Sequence, residues 1–218
     1  FGYKAIGVFQ TQEEIDSYIS PATGKPIQPN AAPGDTKFED LNGDGVISDD
    51  NEDRTMIGKP NPDWMVGLTV AADWNGFDLS AFFQGSFGAD VFDALRRYEL
   101  AAVNYTSDAL ERWTGPGTSN SMPRIVLGDT PKNFRPSTLL VHDASFLRLR
   151  NLQVGYTLPA QLTRKAYIQR LRFYASFDNL LTITGYKGMD PEIGSTMGID
   201  KGVYPQARVY TFGLNLTF

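Results

Sequence analysis

Residues Asp40 to Arg54 read D-L-N-G-D-G-V-I-S-D-D-N-E-D-R, a run of hard oxygen donors at regular spacing. Asp40, Asn42 and Asp44 stand at positions 1, 3 and 5 of a calcium loop. Gly45 stands at position 6, where the chain turns sharply. Val46 offers its carbonyl at position 7 and Ile47 packs at position 8. Calcium takes about six to eight oxygen ligands, which alternate residues of a tight loop can supply. Position 12 is Asn51 rather than Glu, so the closing carboxylate must be Asp50, Glu52 or Asp53. Asp53, with the loop expanded by two residues, is the preferred choice. The competing reading of the same residues is an Asx-rich turn with no ion. On either reading the role is structural, because no nucleophile or general base lies nearby.

Other reactive residues form no convincing array. His142, the single histidine, is followed by Asp143 and Ser145. Adjacent strand residues point to opposite faces, so these three do not make a Ser-His-Asp set. Asp190 and Glu192, in M-D-P-E, resemble a glycosidase pair only in type. Two carboxylates around a proline more often make a turn or a partner contact. There is no phosphate-cradling glycine loop, and the chain does not read as an enzyme. Trp113 and the tyrosines Tyr98, Tyr105, Tyr186 and Tyr204 have rings suited to sugar stacking, to a protein interface or to ordinary loop packing.

The elements that position these loops read as strands. Residues 64–74, W-M-V-G-L-T-V-A-A-D-W, place Trp64, Val66, Leu68, Val70, Ala72 and Trp74 on one face. Asn75-Gly76 follows, a strong signal for a type I′ hairpin. In the next strand Phe77, Leu79, Ala81, Phe83 and Phe87 share a face. A two-residue turn sets Trp74 opposite Phe77, so both apolar faces coincide. The other face carries Thr69, Asp73, Asp78, Ser80 and Gln84. Residues 146–158 change phase near Arg150, from Leu147 and Leu149 to Leu152, Val154 and Tyr156, which suggests a bulge or a strand leaving a bilayer. Residues 168–183 put Leu171, Phe173, Ala175, Phe177 and Leu181 on one face and Arg170, Arg172, Tyr174, Ser176 and Asp178 on the other. The last strand puts Tyr210, Phe212, Leu214, Leu216 and Phe218 against Thr211, Gly213, Asn215 and Thr217. Phe1–Phe9 reads as the end of a sixth strand.

This alternation is that of outer-membrane barrel strands, apolar toward lipid and polar toward the lumen over about 9–11 residues. No stretch approaches the length of a transmembrane helix. With 20 basic and 25 acidic residues the net charge is -5, which argues against nucleic-acid binding. With no cysteine there is neither a disulfide framework nor a thiolate metal site. Phe1-Gly2-Tyr3-Lys4 is no signal peptide and reads as the interior of a longer chain. The connections alternate: 10–63, 88–145 and 184–206 are long, 75–76 and 159–167 short. Long connections are the extracellular loops of such barrels, so the C-terminus is expected in the periplasm. Five or six strands cannot close a barrel, for which about eight is the usual minimum, so further strands are required.

These segments resemble, in order and over nearly the whole chain, the C-terminal part of a SusC/RagA-type TonB-dependent outer-membrane transporter of Bacteroidetes. The matching stretches are P-G-D-T-K-F-E-D-L-N-G-D-G-V-I from Pro33, D-R-T-M-I-G from Asp53, N-G-F-D-L-S-A-F-F-Q-G from Asn75 and R-W-T from Arg112. Others are D-A-S-F-L-R-L-R-N-L-Q-V-G-Y-T-L-P from Asp143, D-N-L-L-T-I-T-G-Y from Asp178, M-D-P-E from Met189 and the terminal G-L-N-L-T-F. The resemblance implies an all-β fold, namely the last five or six strands of an antiparallel 22-stranded transmembrane barrel with long extracellular loops. Residues 1–218 would be barrel, with the plug and TonB-contacting segment outside this chain. It implies a SusD-like surface lipoprotein as lid, contact with outer-membrane lipid, TonB coupling through the plug, and oligosaccharide or peptide as cargo. Trp113, Tyr186 and Tyr204 become candidates for substrate or lid contact. Tyr210, Phe212 and Phe218 resemble the C-terminal signal read by the barrel-insertion machinery. The expanded Asp40–Asp53 spacing departs from the commoner, shorter one. The alternative is a soluble all-β, calcium-stabilised glycan-binding module. It leaves unexplained why several strands are apolar on one face and charged on the other.

Overall fold

In the computed structural model the described residues are all of 1–218 except 50, 51, 97, 99, 101–103, 193–196 and 203. They form two compact units. One comprises Phe1–Lys59, Val91–His142 and Ile199–Lys201, and the other Pro60–Asp90, Asp143–Gly198 and Gly202–Phe218. Among the described residues no helix is long and apolar enough to cross a membrane.

The second unit is built on a five-stranded antiparallel sheet. Its strands are β1 (Trp64–Trp74), β2 (Phe77–Phe87), β3 (Phe146–Thr157), β4 (Arg170–Thr184) and β5 (Val209–Thr217), in the order β5-β4-β3-β2-β1. Asn75 and Gly76 have φ of 51° and 85°, as a type I′ turn demands, and they set Trp74 opposite Phe77. The register then pairs Ala72 with Leu79, Val70 with Ala81 and Leu68 with Phe83. It continues across β2–β3 with Phe77 opposite Tyr156, ring centroids 4.5 Å apart, and Leu79 opposite Val154. Across β4–β5 it pairs Phe173 with Leu214 and Phe177 with Tyr210. One face of the sheet is therefore apolar throughout.

The phase change in β3 is a bulge. Phe82 and Phe83 are consecutive, yet their partners are Asn151 and Leu149, which leaves Arg150 as the extra residue. The bulge returns Leu149 and Leu147 to the apolar face, opposite Phe83 and Gly85. It also lets Arg150 and Asn151 both reach the polar face. There Arg150 Nε donates to Gln84 Oε1 at 2.7 Å and Asn151 Nδ2 to Asp178 Oδ1 at 2.7 Å. Arg172 grips Asp78 in a two-pronged pair, with Nε 2.8 Å from Oδ1, and passes over Gly155. An ideal Cβ at Gly155 would lie 2.4 Å from an Arg172 nitrogen, so the glycine makes room for a bridge between strands that are not neighbours.

The apolar face is exposed. Trp64, Trp74, Phe212 and Phe218 each keep roughly three quarters of their surface. A single-layered sheet most of whose large apolar side chains lie on one open face needs a non-aqueous covering.

In the first unit, short strands Gly2–Tyr3 and Arg54–Thr55 pair, as do Ala5–Val8 and Thr36–Phe38. The stretch Phe1–Phe9 therefore does not extend the long sheet as a sixth strand. Its strand partners lie within the first long loop, with a further backbone bond from Tyr3 N to Pro136 O in the second, and the long sheet has five strands. A short helix, α1 (Gln12–Ser17), follows. Thr11 Oγ1 accepts from Glu14 N, and Glu14 Oε2 accepts from Gln10 N. This capping arrangement was available in the sequence as T-x-x-E. Tyr3, Val8, Phe9, Ile15 and Phe38 are buried here, with a smaller cluster of Tyr98, Ala109 and Met122 backed by Ile125 and Phe134.

Much of what ties this unit together is polar. Asp35 is buried and accepts from Arg124 Nε at 2.6 Å and Nη2 at 3.1 Å, from Asn133 Nδ2 at 3.0 Å and from Ala32 N at 2.8 Å. Asn133 in turn accepts from Thr36 N. Charge-assisted bonds of this kind join the first and second long loops.

Candidate functional site

The oxygen-rich loop closes on itself as an Asx-type turn. Asp40 accepts from Gly43 N and Gly45 N, both at 2.8 Å, Asn42 Oδ1 from Asp44 N at 3.0 Å, and Asp44 Oδ1 from Val46 N at 2.8 Å. Gly43 and Gly45 have φ of 79° and 86°. A Cβ at Gly45 would also sit 2.6 Å from Ser20 Oγ, so glycine is required there on two grounds. Asp53 is fully buried and accepts from Leu41 N and Ser48 N at 3.1 Å, which staples the start of the loop to its later half. The side-chain amide of Asn42 donates to Asp44 Oδ2 and Glu52 Oε2, each at 3.0 Å.

The structure thus brings Asp40, Asn42, Asp44, Val46 and Asp53 into one loop. Asp53 closes it from behind, and Glu52 is the carboxylate that faces Asp44. Asp50 and Asn51 lie outside the described residues. Among the described residues no three carboxylate or imidazole groups converge closely enough to hold a metal ion. The donor set is nevertheless all oxygen, and a carboxylate has about four lone-pair sites; among the described residues Asp40, Asp44 and Asp53 accept two bonds each. The Asn42 amide sits between two acid groups, where positive charge is most favourable.

A second constellation was not legible as such. Arg148 is almost wholly buried on the polar face of β3. Its Nη2 lies 2.6 Å from Asp190 Oδ1, its Nη1 2.9 Å from Glu192 Oε2, and its Nε donates to Thr182 Oγ1 at 2.9 Å. Arg150 pairs with the other oxygen of Glu192. Asp190 also accepts from Glu192 N at 3.0 Å and Gln206 N at 3.1 Å. Burial pushes the Asp190 carboxyl upward. The Glu192 N–H, the Arg148 guanidinium and the Gln206 N–H outweigh it and hold the group below the ordinary carboxylate range. A general acid needs the opposite shift. Asp190 and Glu192 are fasteners of the 184–206 loop rather than a glycosidase pair. The M-D-P-E stretch pointed to a contact, but its arginine partners lie more than forty residues upstream.

The aromatic candidates divide. Trp113 is half-buried, its indole resting on Gly34 and its Nε1 donating to Gln10 Oε1 at 3.1 Å. Tyr186 is buried, folded back over Gly188. Tyr204, by contrast, is 87% exposed. Tyr210, Phe212 and Phe218 all lie on the open apolar face, with Tyr210 and Phe212 edge-on to Phe177 at 5.8 and 6.3 Å.

A wall of antiparallel strands, apolar on one side and charged on the other, with long connections, has the form of a barrel-wall segment of an outer-membrane protein. No protein-family model matches the chain. It is 34% identical to TonB-dependent receptor P3 of Formosa agariphila over 229 aligned residues, covering all of this chain and 22% of that receptor. It is 31% identical to TonB-dependent receptor SusC of Bacteroides thetaiotaomicron over 219 residues, covering all of the chain and 20% of SusC. Among solved structures it is similar to the RagAB peptide importer in the open-open state, with TM-score 0.71, 25% identity, all of this chain covered and 22% of that one. A RagAB peptide transporter structure gives 34% identity and TM-score 0.57 over 70% of this chain. The chain belongs, as a C-terminal segment, to the SusC/RagA type of TonB-dependent receptors. It spans about a fifth of the length of the curated relatives it matches. These relatives are outer-membrane receptors and transporters, not enzymes.

Proposed function

We propose that this chain forms part of the wall and extracellular rim of a TonB-dependent importer that takes up oligosaccharides or peptides across the outer membrane. The observation that carries the reading is the register of the five strands. It gathers the large apolar side chains on one open face and the Asp, Arg and Gln side chains on the other. In the complete protein, further strands continue the sheet from the free edges of β1 and β5 into a 22-stranded barrel around a plug that contacts TonB. The loops 10–63, 88–145 and 184–206 face the cell exterior, dock a SusD-like lipoprotein lid and line the vestibule, with Tyr204 as the most accessible ring. The C-terminus faces the periplasm, and Tyr210, Phe212 and Phe218 serve as the assembly signal.

The Asp40–Asp53 loop holds Ca²⁺ as a structural ion, through oxygens of Asp40, Asn42, Asp44 and Val46 and a closing carboxylate from Asp53 or the adjacent Glu52. The RagAB structures are described as those of a peptide importer, and SusC-type relatives support the same architecture of receptor plus lid.

The test is fractionation of source cells with an antibody against residues 184–206, combined with labelling of intact cells. Signal in the outer-membrane fraction that is labelled from outside is expected. A soluble, unlabelled signal would overturn the reading in favour of a calcium-stabilised glycan-binding module.

A further inference from the structure

Within the first unit a cavity of about 300 Å³ opens between segment 27–31, the oxygen-rich loop at Val46 and Ile47, and the turn 130–135. This is the small end of the range for ligand sites, on the order of 300–1,000 Å³. Ile27, Pro29, Ile47 and Pro131 give it apolar walls. Its charges are unbalanced. Asp35 lines the cavity, but Arg124 already neutralises it. Lys132 and Arg135 also line it and, among the described residues, share one counter-ion, Asp49, whose side chain is 64% exposed. Arg135 Nη1 is 3.7 Å from Asp49, and this buried nitrogen makes no hydrogen bond among the described residues. The guanidinium is held in place by stacking, 4.7 Å from the Tyr3 ring centroid and 5.0 Å from that of Phe38. A fixed cation with a donor left over, beside the ammonium of Lys132 and apolar walls, is suited to a planar anion.

We infer that this cavity binds a small ligand through its carboxylate, with Lys132 and Arg135 as the anion partners and Asp49 as the internal competitor that the ligand displaces. The hydrogen bond from Lys132 holds the Asp49 carboxyl below its usual range, so the competitor stays ionised at neutral pH. Both a uronic acid at the end of an oligosaccharide and the C-terminus of a short peptide carry the required group. A neutral ligand of the same size offers Arg135 only an uncharged acceptor, which makes a weaker bond than a carboxylate does. The site stands on its cavity and charges and does not need the neighbouring loop to hold an ion.

The experiment is calorimetric titration of the complete receptor containing this segment, in detergent, with two matched pairs of probes. One pair is digalacturonate and digalactose, the other N-acetyl-trialanine and N-acetyl-trialanine amide. The acid of at least one pair binds about tenfold tighter than its neutral partner. The pair that discriminates identifies uronate or peptide terminus as the source, and discrimination in both shows that the carboxylate alone is read. Lys132→Met weakens acid binding about tenfold, and Asp49→Asn strengthens it by removing the competitor. Both side chains are at the surface, so both variants keep the fold. Equal affinity within both pairs, no binding of either acid at millimolar concentration, or an Asp49→Asn variant that binds no tighter than the parent would each overturn the proposal.

Discussion

The two units satisfy their backbones in opposite ways. In the long sheet, the three inner strands and the inward sides of β1 and β5 have their N–H and C=O met by neighbouring strands, so the side chains are free to carry an alternation, largely apolar on one face and polar or charged on the other. In the loop unit the ladders are only two to four residues long. There the backbone donors are met by side chains: Asp35 takes Ala32 N, Asn133 takes Thr36 N, Asp129 takes Asn133 N and Phe134 N, and Asp40 takes Gly43 N and Gly45 N. The architecture of the sheet therefore lies in its apolar residues and register, and that of the loops in particular carboxylates and amides. Arg148 is the exception, because it brings the chemistry of the loops into the sheet unit.

That exception gives the largest expected effect. Arg148→Ala leaves the buried Asp190 carboxylate without its guanidinium, while Glu192 keeps Arg150, and destabilises by about 3–5 kcal/mol, the usual cost of removing one member of a buried ion pair. A lower thermal midpoint in detergent and faster proteolysis within 184–206 are the readouts. An unchanged midpoint would mean that other contacts fix this loop. Phe218→Ala tests the opposite kind of contact. On the proposed reading, loss of this ring from the open apolar face, worth about 1.5–3 kcal/mol when covered, is expected to lower outer-membrane abundance while uptake per assembled molecule stays the same. Equal abundance would remove the assembly role.

Asp40→Ala combined with Asp44→Ala removes acceptors for Gly43, Gly45 and Val46, at about 0.5–1.5 kcal/mol per bond. It should also lower bound calcium by elemental analysis and weaken lid binding, as a chelator should in the parent. Unchanged metal content together with unchanged lid affinity would leave a plain Asx-rich turn.

The smallest effect is with pH. Asp190 has a folded-state pKa below its unfolded value, so its contribution is fully present above about pH 3.9 and is lost as pH falls through the lower folded value. Asp190→Asn should flatten the acid limb of the thermal-midpoint curve. A limb identical to that of the parent would place the acid sensitivity elsewhere.

What was legible in the sequence follows the range of the forces involved. The ranges 64–74 and 77–87, the Asn75-Gly76 turn and the phase change at Arg150 are all written in adjacent residues, and the structure repeats them. The glycine at position 6 of the oxygen-rich loop is equally local, since a positive φ is a property of one residue. Helix α1 was local too, and its Thr11–Glu14 cap went unread because six residues carry little periodicity. The N-terminal stretch alternates like a strand, but alternation does not name a partner, and Ala5–Val8 pairs with Thr36–Phe38 instead of joining the long sheet.

By itself, then, the sequence determined the strands, their faces, the hairpin and the carboxylate-rich loop, because steric preferences and period-2 burial act between neighbours in the chain. The tertiary structure alone decided that Arg148 would meet Asp190, that Arg124 would meet Asp35, that Tyr186 and Trp113 would fold inward while Tyr204 stays out, and that Lys132 and Arg135 would share Asp49 beside a cavity. Those pairings join residues tens of positions apart. Their energy depends on desolvation and distance, which exist only once the loops have been brought together.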